Sequence, residues 1–548
     1  MHSKGNRMST SPFSHRRGRG LRAPWVSAAS LSAMLLGAVF LGAGPASAAP
    51  PACWDDAPAD VDGGGPDVAI GMPSYDLPGK PNAGAIVVFS NVGAAGQANP
   101  KAPTARRLYT ADNFIGLSSQ AGARFGASVA VWGAAFDDLD DCADLLVGAP
   151  GQNVGGKSGA GQVFQLRGSA GGLNGVVKTF DEASVSGGTQ VGAGFGTALG
   201  VSSSSIIAIG APGRDIGTVS DAGRIVAWDY EVVSPGAPDV SVIQQGGAGA
   251  GSSEAGDRFG EVLDVFGSGE GPILMVGVPH EDVGNRADAG AVALKMVKEG
   301  ELSIVTQDSP GAGGVAEAGD RYGTSIDIYG AAISSTSVVG VAIGVPGEDI
   351  GRKSDAGAVA FAYFDLKEIP DPADTTGLIG QARTVTQDSP GMPGTAEAGD
   401  LFGNAVRAGE FGHSTGHVDL VVTAPLEDLS GAKNAGSLSM AEYDVYGHLE
   451  PSNRPASWSQ DSAGVAGAAE SGDRFGTAAA PVLLTSEEID DDHPWLLNLI
   501  TVPREDVSGV ADAGMAYLGV APGAKSVALT PPVLQSGAGL DMAPMQFG

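Results

Sequence analysis

The chain has 548 residues, which is too long for one ordinary hydrophobic core unless that core is divided among repeats. It holds 86 glycines, well above the average share of about 7%, and an ordinary hydrophobic content of 43%, which disfavours disorder and is typical of many short strands joined by tight turns. The formal net charge of −31 argues against nucleic acid and anionic membrane surfaces as partners. Such acidity fits either plain solubility or cation binding at clustered carboxylates.

Residues 1–48 have the pattern of a secretory signal peptide. Four arginines within residues 16–22 precede an apolar stretch over roughly residues 25–41, and residues 46–48 read Ala-Ser-Ala, a small-x-small cleavage site. The apolar part is short for a spanning helix, so an uncleaved anchor is the weaker alternative. We therefore expect a secreted, extracellular protein with no stable membrane insertion. Its net charge would be −37, because the leader carries six basic residues and no acid.

Three short motifs then repeat along the chain. An apolar strand that ends in a Gly-x-Pro or Thr-x-Pro corner occurs seven times, 62 to 79 residues apart. The corner prolines are Pro73, Pro150, Pro212, Pro279, Pro346, Pro425 and Pro503. An aromatic-Gly pair, as in Phe125-Gly126, precedes six of these corners, and Asp/Asn-Ala-Gly or a variant follows each corner by about ten residues. Each unit predicts three strands and a looser segment that can supply a fourth.

These paired motifs resemble the FG-GAP repeat family, which is found in the head of integrin α chains and in many secreted bacterial proteins. The resemblance covers residues 53–548. It implies an all-β fold, a seven-bladed β-propeller with four-stranded antiparallel blades. The period is too long for WD40 or kelch blades, and a linear β-solenoid is the architectural alternative.

The two ends of the chain predict how the ring closes. The first corner has no aromatic-Gly pair before it, and the last such pair, Phe547-Gly548, has no corner after it. Strands from both ends would therefore complete one blade, which also removes exposed sheet edges. Because the family usually continues into the innermost strand, we expect this closure to be short.

The resemblance also implies a calcium loop of the form Asp-x-Asp/Asn-x-Asp-Gly-x-x-Asp before the corner strand, in which alternate carboxylates surround a hard cation. The loop survives only in part here. The candidate ligands are Asp60, Asp62 and Asp67 in blade one and Asp137, Asp140 and Asp144 in blade two. A solvated acidic turn is the alternative for both.

The two cysteines, Cys53 and Cys142, both survive removal of the leader. Two cysteines in an exported chain predict one disulfide, and neighbouring blades would bring these two loops together. Two buried free thiols are the alternative.

Three further patterns need an interpretation. Acidic pairs such as Glu281-Asp282 follow four of the corners, Arg214-Asp215 takes the same place in blade three, and we interpret all five as turn chemistry. Residues 151–158 match the phosphate-binding P-loop by letter, but a strand follows where a helix is required, so we reject that function. His413, His417 and Asp419 are candidate zinc ligands, with scattered polar residues as the alternative.

The sequence predicts a binding or adhesion module that engages an extracellular protein or carbohydrate through the loops of one face. We find no catalytic motif and expect no enzyme. The alternatives are a hydrolase or lyase with its site in the central channel, or a structural cell-surface protein.

Overall fold

The computed structural model describes Cys53 and residues 59–93, 100–132, 142–202, 206–230, 238–246, 251–268, 271–297, 302–330, 338–365, 382–409, 417–444, 456–483, 496–519, 526–537 and 546–547. The predicted signal peptide and the candidates Asp137, Asp140 and His413 lie outside these ranges. Within them, regular structure consists of 28 short strands and one-turn 3₁₀ helices at Ala111–Asn113 and Glu182–Ser184. No helix in the described part of the chain is long and apolar enough to span a bilayer.

The strands form seven sheets, each of which is one blade. Blade one holds β1 (Val68–Met72), β2 (Ala85–Ser90) and β3 (Ala105–Tyr109). Blade two holds β4 (Ser128–Trp132), β5 (Asp144–Ala149), β6 (Gln162–Arg167) and β7 (Gly175–Phe180). Blade three holds β8 (Leu199–Val201), β9 (Ile206–Ala211), β10 (Arg224–Asp229) and β11 (Asp239–Ile243). Blade four holds β12 (Val262–Ser268), β13 (Gly271–Val278), β14 (Ala291–Met296) and β15 (Ser303–Val305).

The remaining blades repeat the same order. Blade five holds β16 (Ile326–Gly330), β17 (Val338–Val345), β18 (Ala358–Asp365) and β19 (Arg383–Val385). Blade six holds β20 (Val406–Gly409), β21 (His417–Ala424), β22 (Ser437–Asp444) and β23 (Ala456–Trp458). Blade seven holds β24 (Ala479–Leu483), β25 (Leu496–Val502), β26 (Met515–Leu518) and β27 (Val527–Leu529), and β28 (Gln546–Phe547) follows. Neighbouring strands within each blade are antiparallel, which confirms the predicted seven-bladed propeller.

Strand direction determines which loops share a face of the ring. Four antiparallel strands in sequence order place the turn between the second and third strands at one end of the blade. The segment that leads from the fourth strand to the next blade's first strand starts at that same end. We call this end of the ring the linker face, these turns the corner loops and these segments the linking segments. The two sets touch: Gly256 donates its amide to the oxygen of Ser220, and Gly319 donates to Ala287.

The hydrophobic core is divided among the interfaces between blades. Seven clusters of buried side chains each join two neighbouring sheets. One of them packs Ile70 and Val87 of blade one against Val482 and Leu499 of blade seven, so the first and last blades are neighbours. Each blade therefore buries both faces, which explains why strands such as β5 are buried along their whole length.

The glycines of the two main motifs are required by close approach between blades. A β-carbon on Gly71, in the first corner strand, would lie 1.8 Å from the oxygen of Gly126 in the aromatic-Gly pair of the next blade. The same contact recurs between Gly210 and Gly260, at 1.9 Å. The paired motifs are thus two sides of one backbone contact between neighbouring blades.

Closure of the ring differs in one respect from the sequence prediction. Among the described residues, blade one has three strands, and β28 pairs in parallel with Ala130 and Val131 of β4 instead of antiparallel with β1. The innermost strands β24 and β4 both contact β28. All innermost strands run in the same direction from the linker face, so a strand in that position can pair with its neighbour only in parallel.

Candidate functional site

The loop before β1 gathers three buried carboxylates at the end of the ring opposite the linker face. Asp60, Asp62 and Asp67 are 0%, 6% and 1% exposed, and one oxygen from each lies within 4.8 Å of the other two. Gly63, Gly64 and Gly65 all have positive φ, a conformation that glycine adopts without strain, and they turn the chain tightly around the carboxylates.

Hydrogen bonds fix the orientation of these carboxylates. The amides of Val61 and Asp62 donate to Oδ2 of Asp67, at 2.8 and 3.1 Å, and the amide of Asn91 donates to Oδ1 at 2.8 Å. Asp62 accepts a hydrogen bond from Ser90. The loop therefore folds around the carboxylate of Asp67, and the other two acids, Asp60 and Asp62, belong to that loop.

The electrostatics of this cluster favour a bound cation. Burial, followed by the charge of Asp62, raises the pKa of Asp67 to about 8, although the amides of Asn91 and Val61 lower it. Arg107 is a positive side chain bonded to the cluster, with Nη1 3.4 Å from Oδ2 of Asp62. Asp62 and Asp60 both act on Asp67 with a charge of the same sign, and a bound cation would offset that repulsion.

The donor set fits calcium. Calcium prefers carboxylate and carbonyl oxygens at 2.3–2.6 Å, so two oxygens on one ion lie at most about 5 Å apart. The 4.8 Å limit on the three aspartates meets that condition. Asp60, Asp62 and Asp67 are the residues that would hold the ion, and the ion would offset their mutual repulsion.

The second predicted loop is described only at its end. Asp144 is buried and accepts hydrogen bonds from Nε2 of Gln165 and from the amide of Gly168, at 2.8 and 2.9 Å. It occupies the position of Asp67 in its blade, six residues before the corner proline. Since Asp137 and Asp140 lie outside the described residues, calcium in blade two stays a prediction.

The predicted Cys53–Cys142 disulfide is present, with the Cα atoms 5.1 Å apart. It ties the segment before the three aspartates to blade two. The amide of Ala143, next to the second cysteine, donates to the oxygen of Asp60 at 2.9 Å. The carboxylate cluster therefore sits at a point where blades one and two are joined covalently and by hydrogen bonds.

The acidic pairs of the corner loops separate into two roles. In all seven blades, the residue three positions after the corner proline accepts a hydrogen bond from the amide six residues further on. Asp282, for example, accepts from the amide of Asp288 at 3.0 Å. This half of each pair is turn chemistry, as predicted.

The other half of the pair has a different environment, which the sequence interpretation missed. Glu281, two residues after the corner, is buried, and its Oε2 accepts a hydrogen bond from Nε2 of Gln245 at 2.6 Å. Burial raises the pKa of Glu281 to about 7; the hydrogen bond from Gln245 lowers it, and the charges of Asp257, Glu254 and Asp282 raise it. The same arrangement recurs at Gln307–Glu348, Gln387–Glu427 and Gln460–Glu505.

Two minor motifs can also be placed. Residues 151–158 form a corner loop in which Val154 and Lys157 exchange backbone hydrogen bonds, and strand β6 follows. This confirms the rejection of a P-loop. His417 and Asp419 belong to strand β21. Since His413 lies outside the described residues, the zinc hypothesis stays a prediction.

A cavity of about 300 Å³ occupies the central channel where the linking segments enter the innermost strands. Blades two to seven contribute to its wall. The polar and charged side chains among its lining are Ser128, Thr197, Glu261, Thr324, Ser325, Asn404, Arg407 and Thr477. Of these, Arg407 donates to Oδ1 of Asp327 at 3.2 Å, and Asp327 is not part of the lining. Burial raises the pKa of Asp327 to about 7; the charge of Arg407 lowers it, and the charge of Asp264 raises it.

No protein-family model matches this chain, and no curated protein matches it in sequence. Among solved structures, it is similar to extracellular domains 1-2 of Drosophila Semaphorin 1b, with 8% identity and a TM-score of 0.37. The match covers 75% of this chain and 81% of the semaphorin chain. A similarity of that size supports no statement about function, and the seven blades themselves define the fold.

Proposed function

We propose that this chain is an exported propeller of the FG-GAP type that acts as an extracellular binding or adhesion module for a protein or carbohydrate. The observation that carries the proposal is a set of exposed apolar side chains on the linking segments. Ile115, Val191 and Val315 are 100%, 58% and 62% exposed, and they belong to three different linking segments. Single exposed apolar residues are common, but three on equivalent segments of one face favour an interaction surface.

Ion pairs within the linker face support this proposal. Lys80 in the corner loop of blade one lies 3.2 Å from Asp112 in the following linking segment, and Lys353 in blade five lies 2.7 Å from Asp388. Such exposed pairs contribute little stability, yet they hold linking segments against corner loops. A surface that is already ordered loses less entropy when it binds a ligand.

The test is binding of the mature protein to a glycan array and to a panel of purified extracellular proteins. Ile115→Ser, Val191→Ser and Val315→Ser combined should weaken any binding at least tenfold. Val240→Ser provides the matched control, because Val240 is 48% exposed on the outer strand of blade three, away from the linker face. Binding that survives the triple change, or that the control weakens equally, would overturn the proposal, as would a lack of binding to every probe.

Calcium is part of the proposed function. The three buried carboxylates of blade one lie where the first blade meets the second, beside the disulfide. An ion there would stabilise the start of the ring and would not touch the ligand on the opposite face. We expect calcium to act as a structural cofactor.

A second candidate is a hydrolase or lyase with its site in the central channel, which is favoured by polar side chains from several blades around one cavity. Its weakness is that much of this lining is already bonded locally. Thr197, Thr324 and Thr477 each donate to a carbonyl three residues earlier, and Glu261 pairs with Arg258. Polysaccharide turnover that is abolished by Glu261→Gln would establish this candidate; turnover unchanged by that substitution would remove it.

A further inference from the structure

Four of the junctions between blades have the same buried polar arrangement. At each one, a glutamine in the linking segment donates Nε2 to the glutamate two residues after the next corner proline. The glutamines Gln245, Gln307, Gln387 and Gln460 are 2%, 5%, 2% and 1% exposed. In all four, the amide oxygen Oε1 is buried and has no hydrogen-bond partner. A buried amide oxygen without a partner costs roughly 1–3 kcal/mol, and here that cost occurs four times.

Further carboxylates surround each pair. The linking segment of each junction continues into Glu-x-Gly-Asp, in which the aspartate is 1% to 3% exposed and accepts a hydrogen bond from the amide of the glutamate. The aspartates are Asp257, Asp320, Asp400 and Asp473. At the junction of blades four and five, Asp320 and Glu317 both act on Glu348 with a charge of the same sign. Each junction therefore concentrates negative charge around an unsatisfied oxygen.

The acids occur together or not at all. All four junctions that have the corner glutamate also have the aspartate and glutamate of the linking segment. At the junctions leading into blades two and three, the corner residue is Gln152 or Arg214, and alanine replaces the aspartate, as Ala123 or Ala193. Repulsion between like charges would favour the opposite correlation. A shared counter-ion explains why the acids come as a set.

In blade three, positive side chains compensate the buried negative charge of the junction. Glu182 takes the place of the glutamine there, and Arg214 takes the place of the corner glutamate. Nη1 of Arg214 lies 3.3 Å from Oε2 of Glu182, and Nε of Arg224 lies 2.6 Å from Oε1. The buried acid of this junction thus has two positive partners. The four acidic junctions have the acids without an equivalent buried cation among the described residues.

We propose that each of these four junctions binds one calcium ion between neighbouring blades. Its protein ligands are the corner glutamate, the linking-segment aspartate and Oε1 of the glutamine, which is an oxygen-only set suited to a hard cation. No junction within the described residues brings three acidic side chains within 4.8 Å, so water completes the coordination. These sites lie on the linker face and are distinct from the carboxylate cluster of blade one.

At one junction, two of the proposed ligands line an open groove. Between blades four and five, an open groove is lined by Gln307, Glu317 and Glu348 together with Asp308. A smaller cavity beneath it is lined by Gln307 and Glu348 as well. Gln307 and Glu348, two of the three proposed ligands of this junction, therefore line both the open groove and the smaller cavity.

The test counts calcium ions bound to the mature protein after removal of metal with a chelator. Equilibrium dialysis followed by elemental analysis should give four ions more than the acidic loops of blades one and two account for. Glu348→Gln with Asp320→Asn keeps shape and hydrogen bonding but removes the charge of one junction, and it should lose one ion. Asp239→Asn, on the exposed outer strand of blade three, is the matched control and should lose none.

Thermal melts separate this proposal from a purely structural role. In chelator, the Glu348→Gln/Asp320→Asn variant should melt at or above the wild-type temperature because repulsion has been removed, and calcium should raise its melting temperature less than it raises that of wild type. An unchanged ion count in this variant would overturn the proposal. So would a wild-type protein that binds no calcium beyond the acidic loops of blades one and two.

Discussion

Replacing Cys53 and Cys142 by alanine should destabilise the protein mainly through its unfolded state. The disulfide joins positions 89 residues apart in sequence. In the chain-entropy model, closing a loop of that length removes enough freedom from the unfolded chain to stabilise the fold by about 4 to 5 kcal/mol. The two cysteines are 8% and 1% exposed, so the alanine variant also loses some packing.

Urea unfolding with and without a reductant separates these two contributions. The free energy of unfolding of the wild-type protein without reductant, minus its value with reductant, gives the contribution of the disulfide. The free energy of unfolding of the reduced wild type, minus that of the alanine variant, gives the contribution of packing. The variant itself should not respond to reductant, which is the internal control. We expect the bond to contribute several kcal/mol and the packing about 1 kcal/mol.

A bond contribution below about 1 kcal/mol would refute the reasoning. Such a result would mean that the unfolded chain already holds these segments together, or that the native bond is strained enough to cancel the entropy gain. A calcium titration adds a second readout. Because the bond fastens the segment before Asp60 to blade two, the variant should also bind the blade-one calcium more weakly.

Four other perturbations follow from the same structure. Arg407→Met leaves the partly buried carboxylate of Asp327 without its cation, and it should lower the free energy of unfolding in urea by about 3 kcal/mol, the lower end for a buried ion pair; a change under 1 kcal/mol would contradict the ion pair's role. Deletion of residues 537–548 removes β28 and should lower the calorimetric melting temperature far more than a surface truncation; an unchanged temperature would mean that β28 does not close the ring. Calcium should raise the melting temperature, and Asp62→Asn should reduce that rise; equal melting temperatures with calcium and with chelator would contradict a metal ion bound at the blade-one cluster. In chelator, the melting temperature should fall between pH 5 and pH 8, because the folded-state pKa of Glu281, about 7, lies above its ordinary value of 4.5. The folded protein then binds more protons than the unfolded chain in that range, and stability is lost as they leave; a rising temperature would contradict the burial of this carboxylate.

The features that were predictable from sequence are those that repeat in every blade. The corner prolines and aromatic-Gly pairs mark backbone contacts such as Gly71 with Gly126, which only glycine permits, so their positions report the fold directly. The cluster of Asp60, Asp62 and Asp67 was also predictable, since its ligands lie within one short loop. Its burial and its bond to Arg107, which lies in β3, were not visible in the loop itself.

The pairing of β28 was not predictable for a related reason. Phe547-Gly548 matches the motif that begins an innermost strand, but the motif does not state which strand is its partner. A strand of two residues makes few hydrogen bonds, so contacts with its neighbours decide the pairing. Here β4, which runs in the same direction, supplies the partner.

The role of the glutamates at the four acidic junctions could not be predicted from a single corner loop and is visible only when the repeats are compared. Taken alone, Glu281-Asp282 is an acidic turn, and the hydrogen bond from Asp288 to Asp282 explains only the second residue. This hydrogen bond within the turn is present in all seven blades, so it does not require a particular residue at the position before its acceptor. That residue is a glutamate only where a distant linking segment also carries acids, and it is Arg214 where that segment offers Glu182 instead. The charge of the residue before the turn aspartate is therefore set by the junction between blades and not by the corner loop. This pattern is expected if opposite charges join neighbouring blades there. The positive charge would come from a side chain in blade three and from a bound ion in blades four to seven.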